Sequence, residues 1–328
     1  MAEGLPEFED VAAAAARLAG RIVTTPLLSH PRLDEITGGR IFLKAEPLQR
    51  TGSFKFRGAT NAVLQLPAAA RAAGIVTYSS GNHGQAVAAA AAAAGITASV
   101  FMPADAPAIK RESTANWGAE IRLYDRASED REALAQAFAA DHGATIIPPF
   151  DHRDVIAGQG TLALEIFAEC RARGAAPEAL LVCTGGGGLI AGCALAAAGA
   201  APGTRVYAVE PEGWDDTTRS LAAGTRLANA PGGSGFCDAL LAPSPGRLTF
   251  AINRAHLAGG LVVSEAEVRA AMAFAFRHLK LVVEPGGAVA LAALLAGKFP
   301  AKGRVVAAVL SGGNVDPAVF AEVLGGNI

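Results

Sequence analysis

Short runs of β-branched and apolar residues alternate along this chain with longer alanine-rich segments. Arg40–Glu46 (RIFLKAE), Gly74–Ser80 (GIVTYSS), Thr97–Pro103 (TASVFMP), Glu120–Asp125 (EIRLYD) and Ala144–Phe150 (ATIIPPF) have the length and composition of strands. So do Ala179–Thr184 (ALLVCT), Arg205–Glu210 (RVYAVE) and Arg304–Gly313 (RVVAAVLSGG). Helical patterns fit between most of them, at Pro67–Gly74, Arg131–Gly143 and Gly160–Gly174. Strands alternating with helices predict an α/β fold of parallel sheets covered on both faces. Ligands then sit beyond the C-terminal strand ends, so the strand-to-helix turns are where chemistry is expected. Asp215–Leu248 is rich in Gly and Pro and predicts loops or a cover. The apolar tract Ala86–Pro103 is mostly alanine and is broken by Gly95, so it reads as a helix entering a strand, not as a membrane span.

Composition narrows the field. With 328 residues, 51% of them hydrophobic, the chain can build two lobes with their own cores. A net charge of −2 indicates no nucleic-acid partner. Cys170, Cys183, Cys193 and Cys237 form no CxxC pair or zinc spacing, which points to buried, reduced thiols and a cytoplasmic setting. The N-terminal MAEGLPEFEDV is acidic and carries no signal-peptide pattern.

Four places carry candidate chemistry. In LLVCTGGGGLIAGC an apolar strand ends at Thr184, and Gly185, Gly186, Gly187 and Gly188 precede a helix. Glycine N–H groups at a helix start suit a phosphate; the same pattern also makes a tight turn. No lysine follows, so it is not a P-loop, and Leu189 or Ile190 breaks the GxGxxG fingerprint. Glu210 at the end of the next strand keeps a nicotinamide-dependent oxidoreductase open as an alternative. The second place is Ser79-Ser80-Gly81-Asn82-His83, where hydroxyls, an amide and N–H groups suit a carboxylate, or simply cap a helix. The third, Ser311-Gly312-Gly313-Asn314, closes another strand and alone reads as a turn. The fourth is Lys55 in Phe54-Lys55-Phe56. A desolvated lysine has a lowered pKa and forms Schiff bases, whereas a lysine taken alone reads more readily as a stem packed on aromatics. Together the four places meet the needs of pyridoxal 5'-phosphate holding an amino acid.

The motifs GSFKFRGA, SSGNHGQAVA, AGQGT, TGGGGLIAG, EPGGAVALAALL and LSGGNVD, in that order across nearly the whole chain, resemble the serine/threonine dehydratase and serine racemase group of fold-type II pyridoxal-phosphate enzymes. The resemblance implies two open, mostly parallel twisted sheets flanked by helices, as in the β chain of tryptophan synthase. It implies a large cofactor-binding domain from residues 1–73 and 151–328, with a small mobile domain at 74–150. Lys55 resembles the Schiff-base lysine, with Phe54 beside the cofactor, although strand alternation would turn Phe54 and Phe56 away from it. Gly185 to Gly188 resemble the phosphate cup, Asn82 the partner of the ring oxygen, and Ser311 the group facing the ring nitrogen. Ser79, Ser80, Gly81, Asn82 and His83 resemble the loop gripping the substrate carboxylate, and Ser80 the second-face acid/base of the racemases. Glu210, Trp214 and Asp216 resemble a divalent-cation site whose hard oxygen ligands suit Mg²⁺ or Ca²⁺.

The activity so implied is dehydration and deamination of an L-β-hydroxy amino acid such as threonine or serine, by a homodimer that acts on a small molecule and has no membrane partner. Alternatives are a 3-hydroxyaspartate ammonia-lyase and a serine racemase. His152 and Arg153 supply cations that could meet a second substrate carboxylate, or are solvated loop charges.

Overall fold

The computed structural model describes residues 4–79, 81–106, 108–230 and 235–326. Its strands are β1 (Leu27–Leu28), β2 (Arg40–Ala45), β3 (Ile75–Tyr78), β4 (Ala98–Pro103) and β5 (Glu120–Tyr124), followed by β6 (Thr145–Ile146), β7 (Ala179–Cys183), β8 (Arg205–Pro211), β9 (Leu257–Val263) and β10 (Val305–Leu310). Six form one sheet in the order β1-β2-β10-β7-β8-β9; four form a second in the order β5-β4-β3-β6. Every pairing is parallel except β1 with β2. The expected architecture of two mostly parallel sheets flanked by helices is what the chain adopts.

The central strands β7 and β10 are apolar along their length because helices cover both faces. Alternate residues go to opposite cores. Leu181 and Cys183 meet the helices Glu265–Phe274 and Pro285–Leu295, while Leu180 and Val182 meet Arg153–Ala172 and Gly188–Ala200. Truncating one such residue, as in Leu181→Ala, costs about 2–5 kcal/mol through lost contacts and a residual cavity.

A buried ionic cluster ties the first sheet to its helices. Arg57 reaches Glu46 from Nε (2.9 Å) and Nη2 (2.8 Å), and Glu165 from Nη1 (2.6 Å) and Nη2 (2.9 Å). Lys44 reaches Glu165 at 2.5 Å and the Thr25 carbonyl at 2.5 Å. These contacts join β2 to the helices Lys55–Leu64 and Arg153–Ala172.

The strand signal failed where its residues cannot donate or where glycine dilutes it. Ala144–Phe150 forms only the two-residue β6, because Pro148 and Pro149 have no N–H for a ladder. β9 (LAGGLVV) escaped notice because two glycines interrupt its apolar run. Asp215–Leu248 is not all loop; it holds the helix Asp216–Ala223 and a turn at Asp238–Leu240. Among the described residues, no helix is long and apolar enough to cross a membrane. The four cysteines are free and buried.

Candidate active site

Three strand ends and one helix start meet at a single cavity. Ser79 follows β3, Cys183 ends β7 before the glycine run, and Ser311 follows β10; all line the cavity. Lys55 arrives from a different direction. It is the first residue of the helix Lys55–Leu64, not a strand residue as its alternating neighbours implied. The preceding segment is pinned to the end of β10 by Phe54 N–H to Ser311 O (3.0 Å), Gly313 N–H to Gly52 O (2.9 Å) and a bridge between Ser53 and Gly312. Helical geometry then separates the two phenylalanines. Phe54 lines the cavity with its ring 5.3 Å from Lys55 Nζ, while Phe56 is buried in the core beside the second sheet.

Lys55 Nζ donates to the Pro149 carbonyl at 2.6 Å. Burial lowers its pKa to about 8, against the opposing pull of Glu284. A larger fraction of the amine is thus in its neutral, nucleophilic form near neutral pH than for an exposed lysine.

Glu284 was missed by the sequence reading. It is 3% exposed, precedes the helix Pro285–Leu295 without capping it through its side chain, and lines the cavity. Burial, reinforced by Asp238, raises its pKa to about 8. Its Oε1 accepts from Asn82 Nδ2 at 2.6 Å, and Asn314 Nδ2 donates to Asn82 Oδ1 at 2.7 Å. These two bonds fix the amide of Asn82 and leave it one N–H for a ligand. The available signal was a lone carboxylate in LVVEPGG, placed before Pro at a helix start.

His83 is 2% exposed, with Nε2 2.9 Å from the Ile147 carbonyl. A carbonyl only accepts, so Nε2 carries the proton and Nδ1 is a lone pair; that buried atom has no partner among the described residues. Burial and the Lys55 charge push its pKa down to about 3, so the ring stays neutral. Gly81 donates its N–H to Ser79 Oγ at 3.2 Å. Ser80 lies outside the described residues.

The groups present fit the cofactor that the motifs imply. Among the described residues, the N–H groups of Gly185, Gly186, Gly187 and Gly188 have no hydrogen-bond partner, and they lie at the start of the helix Gly188–Ala200. Four free donors at a helix N-terminus suit a phosphate. A desolvated amine, an amide N–H and a serine hydroxyl line the same cavity.

Other expected residues lie elsewhere. His152 caps the helix Arg153–Ala172 and Arg153 pairs with Asp10 at 2.7 and 2.8 Å; neither lines the cavity. The cations that do line it are Lys55, Lys110 and Arg131. Glu210 also lies off the cavity. It accepts from Thr217 N (2.9 Å), Thr218 N (2.7 Å) and Thr218 Oγ1 (2.6 Å), so it serves a helix start and not a ribose at the glycine turn.

Comparison with known proteins shows the family. The family model described as pyridoxal-phosphate dependent enzyme matches residues 18–312. The chain is 42% identical to an L-threo-3-hydroxyaspartate ammonia-lyase from a Pseudomonas species, across 98% of this chain and 99% of that one. It is 40% identical to a serine racemase from Schizosaccharomyces pombe, across 98% of each. The crystal structure of a threonine deaminase from T.th. superposes with a TM-score of 0.88 at 42% identity, covering 95% of this chain and 99% of that one. With a family match over residues 18–312 and relatives more than 40% identical along nearly the whole length, the chain belongs to the pyridoxal-phosphate dependent enzymes.

Proposed function

We propose that the chain catalyses β-elimination from an L-β-hydroxy amino acid, yielding a 2-oxo acid and ammonia. The observation that carries this reading is the convergence of the Lys55 amine, the free N–H groups of Gly185–Gly188 and the Ser79–His83 turn on one cavity. When bound, pyridoxal phosphate supplies the electron sink for charge developing at Cα. Lys55 anchors it, with Phe54, Asn82, Ser311 and the glycine run as its other contacts. The free Lys55 amine is also the base for the Cα proton. The α-carboxylate binds Ser79, Gly81 and the start of the helix Asn82–Ala94. Neutral His83 adds no charge there that would oppose protonation of Lys55. Release of 2-oxo acid from serine, threonine and 3-hydroxyaspartate tests the reading; no product from any of them would sink it.

Within that class, Arg131 favours 3-hydroxyaspartate. It lines the cavity and, among the described residues, forms no close ion pair, although its charge acts on the exposed Asp130; its guanidinium lies 5.6 Å from the Tyr78 ring. A second substrate carboxylate would supply the partner for one. Racemisation remains the alternative, with Ser80 as the opposite-face acid/base; Ser80→Ala would then reduce racemisation far more than elimination.

We also assign Glu210, Trp214 and Asp216 to a divalent cation. Asp216 Oδ2 is buried without a partner, and among the described residues the Trp214 carbonyl accepts no hydrogen bond. Burial raises Glu210 to about 7 and Asp216 to about 6, and each feels the crowding of a neighbouring carboxylate. Oxygen donors of this kind suit Mg²⁺ or Ca²⁺. A melting temperature indifferent to EDTA and to either ion would remove the assignment.

Finally, residues 74–150 are taken as the mobile lobe. Lys110 of that segment pairs with Asp238 across the cavity rim, a contact that opening would break. A homodimer completes the reading, and the mass in solution tests it.

A further inference from the structure

Behind the glycine run stands a helix to which the reading above gives no role, Arg247–His256. Two groups at its start hold one carbonyl of the run. Gly246 N–H reaches Gly186 O at 3.3 Å, and Thr249 donates its hydroxyl to the same oxygen at 2.8 Å. A trans peptide holds its C=O and N–H on opposite sides. Fixing the Gly186 carbonyl against the helix therefore turns the Gly187 N–H away from it. Gly187 lines the cavity, and among the described residues its N–H has no partner, so it is free to face a ligand there. The turn requires glycine at 187, where φ is +89°.

The start of this helix is itself held from elsewhere in the chain. Asp151 accepts from the N–H groups of Arg247 (2.9 Å), Leu248 (2.8 Å) and Thr249 (3.1 Å). It does the work of a capping side chain, which Gly246 lacks. A Cβ at 246 would come within 2.3 Å of Asp151 Oδ1 and 2.7 Å of Thr249 Oγ1, so a side chain there would evict the cap. The neighbours of Asp151 face the same site. Pro149 O holds Lys55 Nζ at 2.6 Å, and the Phe150 ring packs so close to Gly186 that a Cβ there would fall 2.4 Å from it. One short segment thus contacts the amine, the glycine run and the helix that orients the run.

We propose that Thr249, seated by Asp151, is a positioning residue for the cofactor phosphate: it sets the Gly186–Gly187 peptide so that its N–H faces that group. This rests on the reading of Gly185–Gly188 as the phosphate cup. Neither residue lines the cavity, so the effect acts through the loop and falls on the phosphate alone.

The test compares dissociation constants of the full-length chain for pyridoxal phosphate and for pyridoxal, which lacks the phosphate. Thr249→Val keeps the shape and removes the hydroxyl. It is expected to weaken pyridoxal phosphate about tenfold, the worth of one hydrogen bond, and to leave pyridoxal unchanged. Thr249→Ser should restore the wild-type value. The ³¹P resonance of the holoenzyme should shift in Thr249→Val and return in Thr249→Ser. Asp151→Asn, which keeps one carbonyl oxygen for the cap, provides a milder second variant with the same selectivity for the phosphate. Equal weakening of both compounds would show a general packing role and overturn the proposal, as would no weakening of pyridoxal phosphate. If the wild-type chain binds both compounds equally, the phosphate-cup reading itself fails and the proposal with it; that result needs no variant and is so distinguished.

Discussion

Lys44 and Lys55 make an instructive pair. Both sit in apolar surroundings in the sequence, FLKAE and FKF. Lys44 is fully buried, and its ammonium meets the Glu165 carboxylate and a carbonyl within a cluster that also holds Arg57 and Glu46. Lys55 has a carbonyl for a partner, and the nearby carboxylate, Glu284, is engaged with Asn82. A buried charge matched by an opposite charge is structural; a partly buried, desolvated amine left without one is displaced toward its neutral form and becomes reactive. Local sequence does not separate the two lysines. The partners that distinguish them come from distant parts of the chain.

The contrast can be broken from either side. The largest effect is expected from Lys55→Ala, which should abolish ammonia release and the visible absorbance of the bound cofactor. The melting temperature of the cofactor-free chain should not fall, because no ion pair is lost and a desolvated charge is removed. Arg57→Ala should do the reverse. It leaves two carboxylates of the cluster without their guanidinium and should cost about 3–5 kcal/mol in denaturant unfolding. Lys44→Ala should cost less, about 1–3 kcal/mol, because Arg57 still holds Glu165.

Arg131 extends the comparison to the substrate. As a cavity cation without a close ion pair it should behave like Lys55, not like Lys44. Arg131→Ala is expected to lower kcat/KM for 3-hydroxyaspartate about tenfold or more while leaving serine largely unaffected. Equal losses on both substrates would mean that the residue only supports the lobe.

The smallest effect is a change of slope. Glu284 titrates near 8 in the folded chain and near 4.5 when exposed, so the folded state holds a proton that the unfolded state has released. Its contribution is fully present below pH 4.5 and is lost as pH rises through about 8. Lys55 runs the other way. Its pKa is about 8 when folded and 10.5 when exposed, so stability recovers as pH rises between these values. Asp238, Lys110 and Lys55 are the charged groups acting on Glu284. Denaturation of the cofactor-free chain across pH should show the falling limb, and Glu284→Gln should flatten it. An unchanged slope would place the carboxylate in its ordinary range.

Much of this was legible in the sequence because parallel sheets write themselves plainly. Strands buried on both faces are continuous apolar runs, and the turns that follow carry polar and glycine residues at their tips. The Ser79, Gly185 and Ser311 turns were found for that reason. Glu284 was not, because a carboxylate before a proline looks like any helix cap. Asp151 was passed over in favour of its neighbours His152 and Arg153, since loop cations invite a reading as substrate contacts. The structure instead binds Arg153 to Asp10 and uses His152 as a cap.

By itself, then, the sequence determined the layered α/β architecture, the family and the residue types of the cofactor site. These depend on periodicity, on glycine at turns and on short motifs, all local properties of the chain. Only the tertiary structure decided that Lys55 opens a helix, that its charge is unmatched while that of Lys44 is matched, and that a helix far along the chain orients the glycine run. Those properties depend on burial and on which distant groups come within hydrogen-bond reach. Segments far apart in the chain are brought together by packing, and no local pattern records which partner each polar group will meet.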